Sequence, residues 1–221
     1  MKSKISEQVY ELFACLLKYP DEEVRSIADQ IREILQNTIP EACDTFRDFS
    51  AFAKDVPINT WEEIYTRTFD VQAISTLDLG YVLFGDDYKR GELLVNLSNE
   101  YKKINIDCGS ELPDHLPNIL RLITRLDDNE IKYDLVYLII KPALKSIISE
   151  FESGSINKKS QVYKKHHNTL INEEIKYGTI YQSVLKTLLL IIESDFNGDK
   201  NTLIVPGNLN TEFTKELELP G

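Results

Sequence analysis

Residues 111–117 read Glu-Leu-Pro-Asp-His-Leu-Pro, so two prolines bracket an adjacent carboxylate and imidazole just before an apolar periodic run. Two kinds of chemistry are open to such a segment. Asp114 could orient His115 for acid–base work, since an imidazole titrates near neutrality. Or Asp114 could cap a helix by accepting from a free N–H of its first turn, with Pro117 placed where its missing N–H costs nothing. The acid–base option lacks company, because no nucleophile motif, phosphate-cradling Gly-rich loop or second histidine cluster accompanies it. His166 and His167 are neighbours that would point to different helix faces, and Cys15, Cys43 and Cys108 are too far apart for a Cys-x-x-Cys site. No metal and no cofactor are therefore expected, and the cysteines read as reduced, small apolar residues.

The elements that must carry this segment are helical throughout. Ile5, Val9, Leu12, Phe13, Leu16 and Leu17 share a face that ends at Tyr19-Pro20, and Asp21 is expected to cap a second helix bearing Val24, Ile27, Ala28, Ile31, Ile34 and Leu35. Pro40 opens a third with Ala42, Phe46, Phe49 and Ala53 inward. Thr60-x-x-Glu63 reads as a capping box for a fourth, carrying Trp61, Ile64, Tyr65 and Thr68 and closed by Phe69-Asp70. After a loop at 71–76, a short helix near Leu77 to Phe84 ends at Gly85, and the next begins near Asp86 with Leu93, Leu94, Leu97, Tyr101 and Ile104 inward. A polar loop, Asn105 to Ser110, delivers the Pro-Asp-His element, and Leu116, Ile119, Leu120 and Ile123 then recur at helical spacing. Asn129 to Phe151 is apolar on several faces, as a central helix would be, with Pro142 expected to kink or split it. A polar connection from Glu152 to Lys165 leads to a final helix near Tyr177 to Phe196. No strand alternation competes. The expectation is an all-α, single-domain bundle of roughly eight to ten helices over residues 1–196, with 197–221 as a flexible tail.

Composition narrows the partners. A chain of 221 residues, 42% hydrophobic, can bury a sizeable core as one domain. It carries 36 acids against 25 Lys and Arg, a net charge of -11, which repels nucleic acid phosphates and favours a basic peptide. The first nine residues have lysines but no apolar h-region, so a cytoplasmic location is expected. The most apolar window, Leu185 to Ile192, contains Lys186 and is too short to cross a bilayer.

Glu111 to Pro117 resembles the signature of the NarJ-type nitrate reductase assembly chaperones, and three other segments agree in order and spacing. Leu16-Leu17-Lys18-Tyr19-Pro20-Asp21-Glu22-Glu23 resembles that family's leucine-tyrosine-proline junction. Tyr65-Thr66-Arg67-Thr68-Phe69-Asp70 resembles its tyrosine and phenylalanine-aspartate segment, and Gly85 with Arg90-Gly91 resembles its glycine and arginine-glycine pair. Relatives serving trimethylamine N-oxide and dimethyl sulfoxide reductases share the Pro-Asp-His element. The resemblance implies a non-catalytic chaperone that binds the N-terminal leader of a molybdopterin-containing oxidoreductase. The leader would be held in the cytoplasm until the cofactor is inserted and, where relevant, until export by the twin-arginine route. It places Glu111, Asp114 and Asp70 at the cationic end of a peptide groove. Tyr65, Phe69, Pro113 and Leu116 would form its apolar floor, and His115 would tune its charge. Two other readings stay open, a small hydrolase using Asp114 and His115, and a helical adaptor without leader selectivity.

Overall fold

The computed structural model describes residues 3–71, 73–152 and 179–196. The expected polar connection after Glu152, His166 and His167, and the tail from Asn197 lie outside the described residues. Ten α-helices and one π-helical stretch make up the described part: α1 (Ser3–Leu16), α2 (Val24–Thr38), α3 (Pro40–Asp55), α4 (Ile58–Phe69), α5 (Leu79–Phe84), α6 (Tyr88–Lys103), α7 (Leu116–Arg125), α8 (Asn129–Asp134), the π stretch (Leu135–Ile140), α9 (Lys141–Glu152) and α10 (Ile180–Phe196). The run from α8 through α9 is continuous, so the chain is the all-α bundle its periodicity predicts. Among the described residues an isolated antiparallel bridge, Asp78 with His115, is the one β feature.

The apolar stripes decide the packing. α10 lies against α3, α9 and α1, α2 pairs with α3, and α1 packs on α7. At the centre Phe46, Phe49, Trp61 and Tyr181 are fully buried, and the indole Nε1 of Trp61 donates to the Tyr181 hydroxyl at 2.8 Å. That bond satisfies the indole N–H that burial would otherwise leave unpaired.

Pro142 sits one residue into α9, just past the π stretch, where Lys141 N donates to Val136 O. The wider turn carries the backbone past the carbonyl that a proline ring would meet in α geometry, so the proline splits the helix type without breaking the rod. The cap expectations fared less well. α4 starts at Ile58 after Pro57, two residues before Thr60, with no side-chain cap bond, and Glu23 rather than Asp21 precedes α2. Asp21 instead closes a local turn by accepting from Glu23 N at 2.9 Å. α7 likewise begins at Leu116 with His115 at the cap position and no side-chain cap bond, so Asp114 is not a cap.

Candidate functional site

The bridge between Asp78 and His115 explains what Asp114 does instead. Leu79 N donates to Asp114 O at 2.9 Å and Leu116 N to Leu77 O at 2.8 Å, pinning the entry of α5 to the entry of α7. Along extended backbone successive side chains leave on opposite sides. Asp114 therefore turns inward and is fully buried, while His115 turns towards Asp78. The adjacent acid and imidazole of the sequence are not partners, which removes the Asp114–His115 acid–base pair.

Inward, the Asp114 carboxylate meets a cation from α6. Arg90 Nε donates to Asp114 Oδ2 at 2.9 Å, and its Nη2 donates to Asp78 Oδ2 at 3.2 Å. The guanidinium also lies 5.2 Å from the centre of the Tyr81 ring, a cation–π distance. Burial works against the Arg90 charge, but the hydrogen bond and charge of Asp114, helped by Asp78, raise its pKa nonetheless. His115 Nδ1 is 3.0 Å from Asp78 Oδ1, and this hydrogen bond is the main reason the Asp78 carboxyl is held below the ordinary range. Gly80 makes room for the arrangement: a Cβ there would stand 2.6 Å from Asp114 Oδ2. The approach to the bridge is fixed as well. Tyr101 donates to Pro113 O at 3.1 Å, and Asn118 Nδ2 donates to the carbonyls of Cys108 and Leu112 at 3.2 Å each.

Around this network lie the other predicted site residues. Tyr65 and Phe69 meet edge to face at 5.3 Å but are only 5% and 7% exposed, and Leu116 is fully buried. Pro113 and His115 are partly covered, whereas Asp70 and Glu111 are exposed. Desolvation and the nearby Glu111 charge push the Asp70 carboxyl above its usual value, against the opposing influence of His115. Burial chiefly, then Asp70, Glu111 and Asp78, push the Tyr65 hydroxyl up. The structure thus gathers Tyr65, Phe69, Asp70, Glu111 and His115 into one electrostatic neighbourhood, and withdraws Asp114 and Leu116 from its surface. Asp78, Gly80 and Tyr19 belong to the neighbourhood and were not singled out as site residues, and Arg90 figured only in the family resemblance. Gly80, inside an otherwise apolar helical turn, was the available signal for a close approach. Among the described residues no cluster of three or more His, Cys, Asp or Glu could hold a metal.

In fold the chain is similar to a protein from Archaeoglobus fulgidus described as a candidate redox enzyme maturation protein, with a TM-score of 0.51 and 18% identity over 85% of this chain and 93% of that one. In sequence it is similar to the probable nitrate reductase molybdenum cofactor assembly chaperone NarW of Escherichia coli (strain K12), 26% identical over 131 residues. It is also similar to the probable chaperone of the same description, NarJ, of Bacillus subtilis (strain 168), 27% identical over 177 residues. These matches take in 58% and 66% of this chain, and 54% and 94% of the relatives, so the chain spans about half the length of the first. No family model matches. Both of these relatives carry the description of probable nitrate reductase molybdenum cofactor assembly chaperones, and similarity to them is what the sequence shows. Those relatives are named as chaperones, not as catalysts.

Proposed function

We propose that this protein is an assembly chaperone for a molybdopterin-containing oxidoreductase of the nitrate reductase kind, acting in the cytoplasm by holding the N-terminal leader of the catalytic subunit. The homology supports the chaperone class, and one observation carries the leader reading. Asp70 and Glu111 come from junctions far apart in sequence, yet the Asp70 carboxyl, partly desolvated, is pushed up by the Glu111 charge against the opposing influence of His115. Arg90, which could have neutralised the region, is committed to Asp114 and Asp78. A basic side chain from a partner would relieve this repulsion and gain charge-assisted bonds. No helix among the described residues is long and apolar enough to cross a membrane.

In this reading Asp70 and Glu111 receive the leader's cation. Pro113 and His115 line the approach, and Tyr65, Phe69 and Leu116 back the site from the core. Asp114 acts at one remove by fixing Arg90 and the bridge. The test is calorimetric titration of the full chain with a synthetic leader of a nitrate reductase catalytic subunit. Asp70→Asn with Glu111→Gln should weaken binding at least about tenfold, as loss of charged acceptors does, and should flatten its salt dependence. Equal binding by wild type and the double variant would place the leader elsewhere.

A further inference from the structure

We propose that Asp78 is a positioning residue that holds the His115 imidazole as its Nδ1–H tautomer, so that the ring offers the Nε2 lone pair to an N–H donor of the bound segment. That donor belongs to the leader and so rests on the leader-binding reading above, whereas the tautomer depends on the bridge alone. Both Asp78 oxygens are engaged: Oδ2 accepts from Arg90 Nη2 at 3.2 Å, and Oδ1 lies 3.0 Å from His115 Nδ1. A carboxylate against a guanidinium is ionised, and an ionised carboxylate only accepts. The depressed Asp78 carboxyl agrees with this. The hydrogen between Asp78 and His115 therefore belongs to Nδ1. A neutral ring carries no second one, which leaves Nε2 as an acceptor.

Backbone fixes both ends of this bond. His115 N donates to Leu112 O and its own carbonyl accepts from Asn118 N and Ile119 N, while Asp78 N donates to Thr76 Oγ1 at 3.2 Å. The antiparallel bridge joins the two residues, and Arg90 ties Asp78 to the buried Asp114. Nε2, by contrast, has no protein partner among the described residues and is not sealed from water, with the His115 side chain 13% exposed. A fixed lone pair at a partly covered position selects by direction and atom type: it accepts from an N–H and repels a carbonyl or carboxylate oxygen. That differs from the attraction of Asp70 and Glu111, which any cation satisfies. A tautomer set in advance also spares the complex the cost of setting it on binding.

The test uses the full chain with isotope-labelled histidines, three in all, and the His115→Gln variant assigns the His115 signals. Above the imidazole titration, long-range proton–nitrogen spectra of the wild type should show Nδ1 protonated and Nε2 bare. Asp78→Ala should move the ring towards Nε2–H while keeping the bridge, whose hydrogen bonds run through the backbone of Leu77, Leu79, Asp114 and Leu116. Calorimetry with the synthetic leader then closes a double-mutant cycle. With His at position 115, Asp78→Ala should weaken binding about tenfold, the loss of one hydrogen bond. In the His115→Gln chain the amide oxygen accepts without any tautomer, so the same change should weaken binding less than about twofold. A wild-type ring protonated at Nε2 overturns the proposal whatever the leader does, and needs no variant to fold. An equal loss in both backgrounds overturns it too, by making Asp78 a structural residue only. If the wild type does not bind the leader at all, the leader reading falls and the N–H donor with it, and the spectra alone decide whether Asp78 sets the tautomer.

Discussion

Arg90 is shared between a sealed carboxylate and a partly exposed one, and the two bonds are not equivalent. Replacing Arg90 by Leu leaves Asp114 buried without its cation, which should cost about 3 to 5 kcal/mol, the usual loss on breaking a buried pair. Asp114→Asn should cost less, because Arg90 keeps Asp78 and some contact with water. Urea unfolding of both variants checks the order, and a neutral Arg90→Leu would mean that the pair contributes nothing. Gly80 tests the same contact from the other side. A Cβ at 2.6 Å from Asp114 Oδ2 and 3.0 Å from Leu93 Cδ2 has nowhere to go without disturbing the ion pair. Gly80→Ala should therefore destabilise by about 1 to 3 kcal/mol, as overpacking does, although alanine is the better helix former. A more stable Gly80→Ala would show that α5 can shift freely away from α7.

Helix ends, not helix middles, carry the chemistry at the next scale. The C-terminus of α3 is closed by a residue of another helix: Arg25 of α2 donates to the carbonyls of Ala53, Lys54 and Val56. A cation there satisfies orphan carbonyls and opposes the negative end of the helix dipole. Arg25→Ala should lower stability by about 1 to 2 kcal/mol, with faster amide exchange confined to the last turn of α3 and to α2. Arg25→Lys should recover part of the loss, since an ammonium is charged but lacks the fork that spans several carbonyls. Unchanged exchange in Arg25→Ala would assign the closure to the backbone alone. The same scale explains why Thr60 and Asp114 misled. Both sit within two residues of a true helix start with cap-competent side chains, but Pro57 and the Asp78–His115 bridge set the starts first.

Over the whole molecule, the proposed binding role of Asp70 predicts a dependence on pH. Its carboxyl is raised because it is partly desolvated and faces Glu111. A bound cation favours the ionised form, so binding near that raised value should release a proton. Affinity for a basic leader should be full at neutral pH and fall as pH drops through the raised Asp70 range, because protonation removes the acceptor. In the free protein the sign reverses: a carboxyl raised by folding loses stability as pH rises through its range, so Asp70→Asn should not destabilise at neutral pH. Titrations at several pH values with wild type and Asp70→Asn separate these effects. A pH dependence that persists undiminished in Asp70→Asn would assign it to another group.

The helices, most of their breaks, the acidic character and the segments that resemble the chaperone family are legible in the sequence, because periodicity, proline, glycine and charge act over a few residues. The sequence also brought Asp70, Glu111 and His115 forward as candidates. Packing between distant helices sets which carboxylates face water and which are held by internal partners. Arg90 reaches Asp114 across 24 residues and Asp78 across 12, and His115 reaches Asp78 across 37. Adjacency in the chain suggested an Asp114–His115 pair, and extended backbone at the bridge sent the two side chains apart. Partners so distant in sequence are chosen by how helices pack, and packing follows from the sum of many apolar contacts that no local spacing records.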